Sequence, residues 1–422
     1  MAAPEARDEA GGPTFWKIAG AGAAFQAGSS AVDSATIIAS LVNHLTGNVY
    51  AVGAASAVLR LGWLLPQLVI GFLAQRSRRR MPFYVVGAFG RAICLALMAI
   101  LLFAAGDAPV AWLAGGFLLL WTLYSFISGI VAVPYNDIVG RSIPSGARSR
   151  MLAWRFFGGG VLALGVTAIV HRLLVTEPAL NAYAFIYLIA AILMLVSSVS
   201  FVSAGEPPVP SVAEDKSQQF GHFLKDGLEV LQTDARFRVF LYTQWLGGAT
   251  LMALPFYVVA AAHTGLRVED VAILLAAQTT GSLASNALRG RIGDRFGKLR
   301  LLRVVGALRL VPPLGALAIF GGGGTASWMT LAAFAALFVV IGALINGMTI
   351  GYLGYLMEVS PDIKRPAYSA YFNALASPAA LLPLAGASIA DAMSLAAVFM
   401  VAIVAAFVQL RLYARLERWK AV

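Results

Sequence analysis

Asp33 is the one carboxylate set deep inside an apolar run of this sequence, and Arg60 lies at a similar depth in the run that follows. Gln26, Ser30, Asp33 and Ser34 stand at i, i+4, i+7 and i+8, which puts them on one face of a helix. An ionisable group at mid-bilayer depth costs about 2.5–3.5 kcal/mol on the gentlest scale, so each needs a function or a partner. A carboxylate there can take up and release a proton, with desolvation and a neighbouring arginine pulling its charge state in opposite senses. The same two residues can also form a fixed ion pair that only sets helix packing. Both readings stand at this point.

Other polar residues fall on single helical faces. Trp121, Tyr124, Ser125 and Ser128 share one, Gln278, Ser282, Ser285 and Asn286 another, and Asn346 and Thr349 lie in a third run. Such residues can line a solute path, the aromatics by stacking on a ring, or they can join helices as small polar contacts. No histidine–carboxylate cluster has metal-ligand spacing, and no nucleophile motif or phosphate loop occurs in a plausible context. The expectation is therefore a protein that is not an enzyme and carries no cofactor or metal.

These residues need long apolar elements to hold them, and the composition supplies them. Of 422 residues, 59% are hydrophobic and 12% charged, whereas soluble domains carry about 25% charge. Cys94 is the single cysteine, so no internal disulfide framework exists. The net charge of +11 has no polar domain to present it to nucleic acid, and its bases fall between apolar runs instead. Twelve such runs are long enough to span a bilayer as helices, near 16–42, 50–75, 82–105, 109–134, 151–174, 181–204, 237–262, 268–290, 299–321, 327–353, 367–390 and 393–411. Residues 1–15 read as a polar tail without the features of a cleaved signal, 205–236 as a linker with an amphipathic piece, and 412–422 as a second tail.

Charge fixes the expected orientation. Of the 27 bases in loops and tails, 25 fall on alternate connections and only Arg172 and Arg267 on the others, which places both termini in the cytoplasm. The halves also repeat. Val85–Phe89 (VVGAF) returns as Val304–Leu308 (VVGAL) at an offset of 219, where Gly71 and Arg76 also meet Gly290 and Arg295. The expected fold is an all-α membrane protein of twelve transmembrane helices in two pseudo-symmetric six-helix bundles, residues 16–204 and 237–411.

The connection after the eighth run holds Gly290, Asp294, Arg295, Gly297 and Lys298, and with it the chain resembles the major facilitator superfamily. The copy after the second run keeps Arg76 but carries Gln75 and Ser77 where the family has its acid and second glycine. The resemblance implies that these charges lock an inner gate, with Asp137 and Glu358 at equivalent helix ends as partners of Arg76 and Arg295. It also implies that spans 1, 4, 7 and 10 line the solute cavity, where Asp33, Gln26, Ser30, Trp121, Tyr124 and Asn346 would lie, with Gln278 a candidate from span 8. Spans 3 and 9 are peripheral in that family, which favours a structural reading of Arg91 and Arg309 and leaves a functional one open, and Arg155 reads as reaching the membrane interface. The segment from Val133 to Gly159 separately resembles sodium–sugar symporters of the glycoside-pentoside-hexuronide group, although span 2 has none of their acids.

The resulting expectation is a secondary active transporter that moves a small organic solute by alternating access, coupled to protons through Asp33. A transporter-like receptor or scaffold is the alternative. With Arg60, Arg91 and Arg309 against Asp33 alone, an anionic or zwitterionic solute is expected, met by Arg60. The setting is a plasma membrane, a bacterial inner membrane, with the chain a monomer that contacts lipid and no nucleic acid.

Overall fold

The computed structural model describes residues 12–75, 77, 79–106, 109–208, 220–296, 298–321, 327–359, 372, 373 and 375–420. The protein is all-α with no strand among the described residues. Its elements in order are α1 (Pro13–Ala31), α2 (Ile37–Thr46), α3 (Val49–Gln75), α4 (Met81–Phe103), α5 (Val110–Gly129), α6 (Ala132–Ser142), α7 (Ser145–Thr176) and α8 (Ala179–Val202). There follow α9 (Phe220–Thr233), α10 (Ala235–Leu251), α11 (Leu254–His263), α12 (Asp270–Phe296), α13 (Lys298–Leu308), α14 (Val311–Gly321) and α15 (Trp328–Val359). A 3₁₀ turn (Ser377–Leu381), α16 (Leu382–Ala392) and α17 (Leu395–Lys420) close the chain. Each apolar run of the sequence coincides with one helix or with two in series, the first part of the 367–390 run lying outside the described residues. Eight candidate spans are long and apolar enough to cross a membrane among the described residues, with Ile37–Thr46 and Trp328–Leu344 as shorter apolar pieces.

The interruptions have local causes. Proline cannot donate an amide hydrogen bond inside a helix but fits the first turn. Pro134, Pro255, Pro312 and Pro383 each sit in the first turn of a restarted helix, α6, α11, α14 and α16. Span 1 breaks without proline, between Ala31 and Ile37. There Asp33, Ser34 and Thr36 are polar or β-branched residues that compete poorly in a helix interior. α2 ends on Gly47 in the left-handed conformation, φ 58°, donating its amide to Asn43. Asp234 caps α10 through a 3.0 Å bond from the Phe237 amide.

The chain divides into two compact units. The first comprises Met1–Asp33 and Leu59–Ser217, the second Ser34–Val58 and Gln218–Val422. Residues 34–58 thus cluster with the second unit, whereas the sequence repeat assigns them to the first bundle. In the first unit α1 packs on α7 and α8, and α4 on α5 and α8. In the second, α12 packs on α15, and α10 and α13 on α17. The α12–α15 pair meets through glycine. A Cβ on Gly281 would strike the Val339 carbonyl, and one on Gly342 the Gln278 carbonyl. Small residues let membrane helices approach to backbone contact in this way.

Outward faces are apolar as well. On α4, Val86, Ile93 and Ile100 are 62%, 58% and 61% exposed, while Ala88, Leu95 and Met98 on the other side are fully buried. Lipid solvates the first set, so hydrophobicity does not separate the core of the bundle from its surface.

Candidate functional site

The residues that the sequence singles out fall into three settings. Asp33 lies in the interruption of span 1, its amide donating to the Ser30 carbonyl at 3.2 Å. Span 7 is interrupted between Leu251 and Leu254, and Asp33 advanced by the repeat offset of 219 is Met252. Interrupted helices at matching places in two repeats mark the sites where transporters expose backbone to solute and ions. Gln26, Ser30, Asp33, Ser34 and Arg60 are all half-buried. Gln26 packs against Gly159 of α7, where a glycine Cβ would meet its Oε1 at 2.8 Å.

Trp121 and Tyr124 sit in the packing of the first unit. Their rings stack at 5.0 Å with a 15° interplanar angle, and Trp121 is 1% exposed. The Ser125 hydroxyl donates to the Trp121 carbonyl at 2.7 Å. Gln278 is buried in the second unit, on the helix that meets α15.

The second setting is a charge cluster at the ends of α4, α6 and α8. The Arg141 Nη2 donates to Asp137 Oδ2 at 2.7 Å and to Glu206 Oε1 at 2.9 Å, and Arg80 Nε stands 3.5 Å from Asp137 Oδ2. Glu206 also accepts from the Arg80 amide at 2.8 Å and the Met81 amide at 2.9 Å, so it caps the N-terminus of α4 from 126 residues away. Burial opposes the charge of Glu206. The two amides and the Arg141 guanidinium outweigh it and hold the carboxyl below its ordinary range. Asp137 is the one gate candidate described with its side chain, and its partners are Arg80 and Arg141. Arg76 lies outside the described residues, as do the side chains of Asp294, Arg295, Asn346 and Glu358. Sequence reading missed Arg141 and Glu206. The i, i+4 spacing of Asp137 and Arg141 is a signal for the first, whereas nothing local marks the second, which opens a proline-rich stretch.

The third setting holds the intramembrane arginines. Arg309, 1% exposed, donates through Nη1 to Gln409 Oε1 at 3.0 Å, and Gln409 Nε2 donates to the Thr243 carbonyl at 2.6 Å. That linkage ties α13 and α10 to α17. Arg91 and Arg155 instead border a cavity of about 150 Å³ inside the first unit. Arg155 is half-buried, and its Nη1 donates to the Tyr135 hydroxyl at 2.8 Å.

The model of the Major Facilitator Superfamily matches residues 18–382. Among curated proteins no sequence relative matches. Solved structures similar to the chain include the nucleoside transporter NupG, at 13% identity and a TM-score of 0.66, covering 96% of this chain and 98% of that one. The POT family transporter PepTSo is similar at 14% identity and 0.69, covering 96% and 98%. A bacterial homologue of the iron transporter ferroportin, in its inward-facing state, is similar at 12% identity and 0.66, covering 96% and 98%. At these identities the likeness is one of fold.

Proposed function

The chain belongs to the major facilitator superfamily, and from that premise we propose that it is a secondary active transporter of a small organic solute, driven by protons. The observation that carries this reading is the pair of helix interruptions at the repeat spacing, the first of which holds Asp33. Unwound backbone and a carboxylate at that depth give a proton a place to bind and a segment that can rearrange with it. The solute is anionic or zwitterionic, in keeping with the excess of arginine over acid inside the spans. The chain acts as a monomer in a plasma membrane, such as a bacterial inner membrane, with both termini cytoplasmic.

The gate reading extends to the loop charges. Asp137, with Arg80 and Arg141, forms the first half's cytoplasmic lock, and Arg76, Asp294, Arg295 and Glu358 supply the remainder. Breaking and remaking these contacts is the switch between the two states of alternating access.

Proteoliposomes with an imposed pH gradient test the proposal. Wild-type protein accumulates its solute against a gradient. Asp33→Asn protein loses accumulation but still exchanges solute at equilibrium. Full proton-driven accumulation by a well-folded Asp33→Asn variant removes Asp33 from the mechanism. If no solute class is taken up at all, the chain is a receptor or scaffold built on a transporter fold.

A further inference from the structure

The cavity inside the first unit is bordered by two guanidinium groups and, among the described residues, by no carboxylate. Arg91 comes from α4 and is 2% exposed, and Arg155 comes from α7. Among the described residues neither makes an ion pair, and the Nε atoms of both are buried without a hydrogen-bond partner. Aromatic faces offset part of their burial. Arg91 Cζ lies 4.6 Å from the Phe25 ring centroid, and Arg155 Cζ 5.2 Å from that of Tyr135. A desolvated guanidinium stays charged, because arginine does not deprotonate in proteins. For Arg91 the cation–π contact is weaker than the several kcal/mol of desolvation that a buried ion loses in a protein interior, whereas Arg155 is half-buried. The pair therefore leaves a concentrated positive potential over a half-open cavity, whose wall includes the exposed Trp63 and Asn136.

The rest of the wall suits an oxyanion. Tyr135 accepts from Arg155, which leaves its own O–H free to donate into the cavity, and Asn136 adds an amide beside it. Trp63 and Phe25 supply apolar and aromatic wall. Space at Arg155 depends on Gly22, whose Cβ would meet the Arg155 side chain. The volume of about 150 Å³ corresponds to on the order of ten waters at the 15 Å³ that one occupies by the same measure, enough for a carboxylate or phosphate with a small body. Arg309, one residue short of the position to which the offset of 219 carries Arg91, differs in having a side-chain acceptor: its Nη1 donates to Gln409 Oε1 at 3.0 Å, although its Nε and Nη2 are buried without a partner.

We propose that this cavity is a binding site for a small oxyanion, a carboxylate or phosphate, clasped by Arg91 and Arg155 and oriented by Tyr135 and Asn136. It rests on the transport reading for one point only, that the anion is cargo. Arg60, the arginine that the sequence favours for this role, is not among the residues that line it.

The test uses detergent-purified full-length protein at low ionic strength, with benzoate, inorganic phosphate and the cation benzylamine as probes. Thermal unfolding gives the binding curve. The anions should raise the melting temperature in a saturable way and benzylamine should not. Arg155→Gln and Tyr135→Phe should weaken anion binding, the former by about tenfold or more, while Arg172→Gln, far along α7, leaves it unchanged. Arg91→Met should abolish anion binding and, by deleting an uncompensated buried charge, raise the melting temperature of the ligand-free protein. A purely structural Arg91 would give the opposite shift. Anion-independent melting of the wild type, or unchanged anion binding in both arginine variants, overturns the proposal. Stabilisation in nanodiscs by phosphatidylglycerol but never by free anion also overturns it, in favour of a lipid headgroup. Anion binding that responds to the variants, without uptake of the same anion into proteoliposomes, supports the site and refutes the transport reading instead.

Discussion

Replacing Glu206 with glutamine tests whether the charge cluster holds the first unit together. The carboxylate, 11% exposed, receives the Arg80 and Met81 amides, one on each oxygen, and Arg141 Nη2. Glutamine keeps one acceptor oxygen and replaces the other with a donor. One amide at the start of α4 then loses its cap, about 1 kcal/mol, and Arg141 exchanges a charged acceptor for a neutral one, about 1–2 kcal/mol. The sum is about 2–3 kcal/mol, and at about 2–4 °C per kcal/mol for a unit of 150–250 residues the melting temperature falls by about 4–12 °C. The pH dependence is signed. The folded carboxyl is held below its unfolded value, so the stabilisation is fully present above the unfolded value of about 4.3 and is lost as pH falls through the folded one. The gap between wild type and Glu206→Gln should be constant near neutrality and shrink on acidification below about pH 4. Intrinsic fluorescence during heating in detergent measures it, with the exposed Glu177→Gln as control. A Glu206→Gln protein that melts with the wild type at neutral pH would refute the capping argument, and a gap that persists in acid would refute its electrostatic part.

Gly342→Ala and Gly281→Ala should each lower the yield of monodisperse protein in gel filtration severalfold, because the new Cβ meets helix backbone that cannot move aside. Gly165→Ala, with open space around it, should be neutral or stabilising by about 0.5–1 kcal/mol. Gln409→Leu leaves Arg309 without its buried acceptor and should destabilise by about 1.5–3 kcal/mol; adding Arg309→Met should restore the melting temperature, and failure to do so would show that the pair is not the cause. Reporter tags after Val422 and within Ala105–Pro109 should lie on opposite sides of the membrane, and Asp294→Asn should slow transport while the protein stays folded and inserted.

Run lengths, charge asymmetry and the repeat are properties of the chain itself, and they are enough for the class, the helical segments and the family resemblance. A polypeptide in lipid must satisfy its own backbone, so an apolar run of sufficient length has one available conformation. Prolines 134, 255, 312 and 383 also mark in sequence where helices restart. Which face of each helix turns inward was not legible, because lipid accepts the same residues as the core: Val86 faces out and Ala88 in, with no change in polarity. The same ambiguity hid the arginines. Their depth could be counted along the chain, yet only packing joins Arg155 to Tyr135 and Arg309 to Gln409. Glu206 and Arg80 are 126 residues apart, and their contact exists because α4, α6 and α8 end together. Sequence fixes what each element is made of and where it lies in depth; the meeting of distant side chains depends on rotations about helix axes that a nearly uniform apolar pattern does not specify.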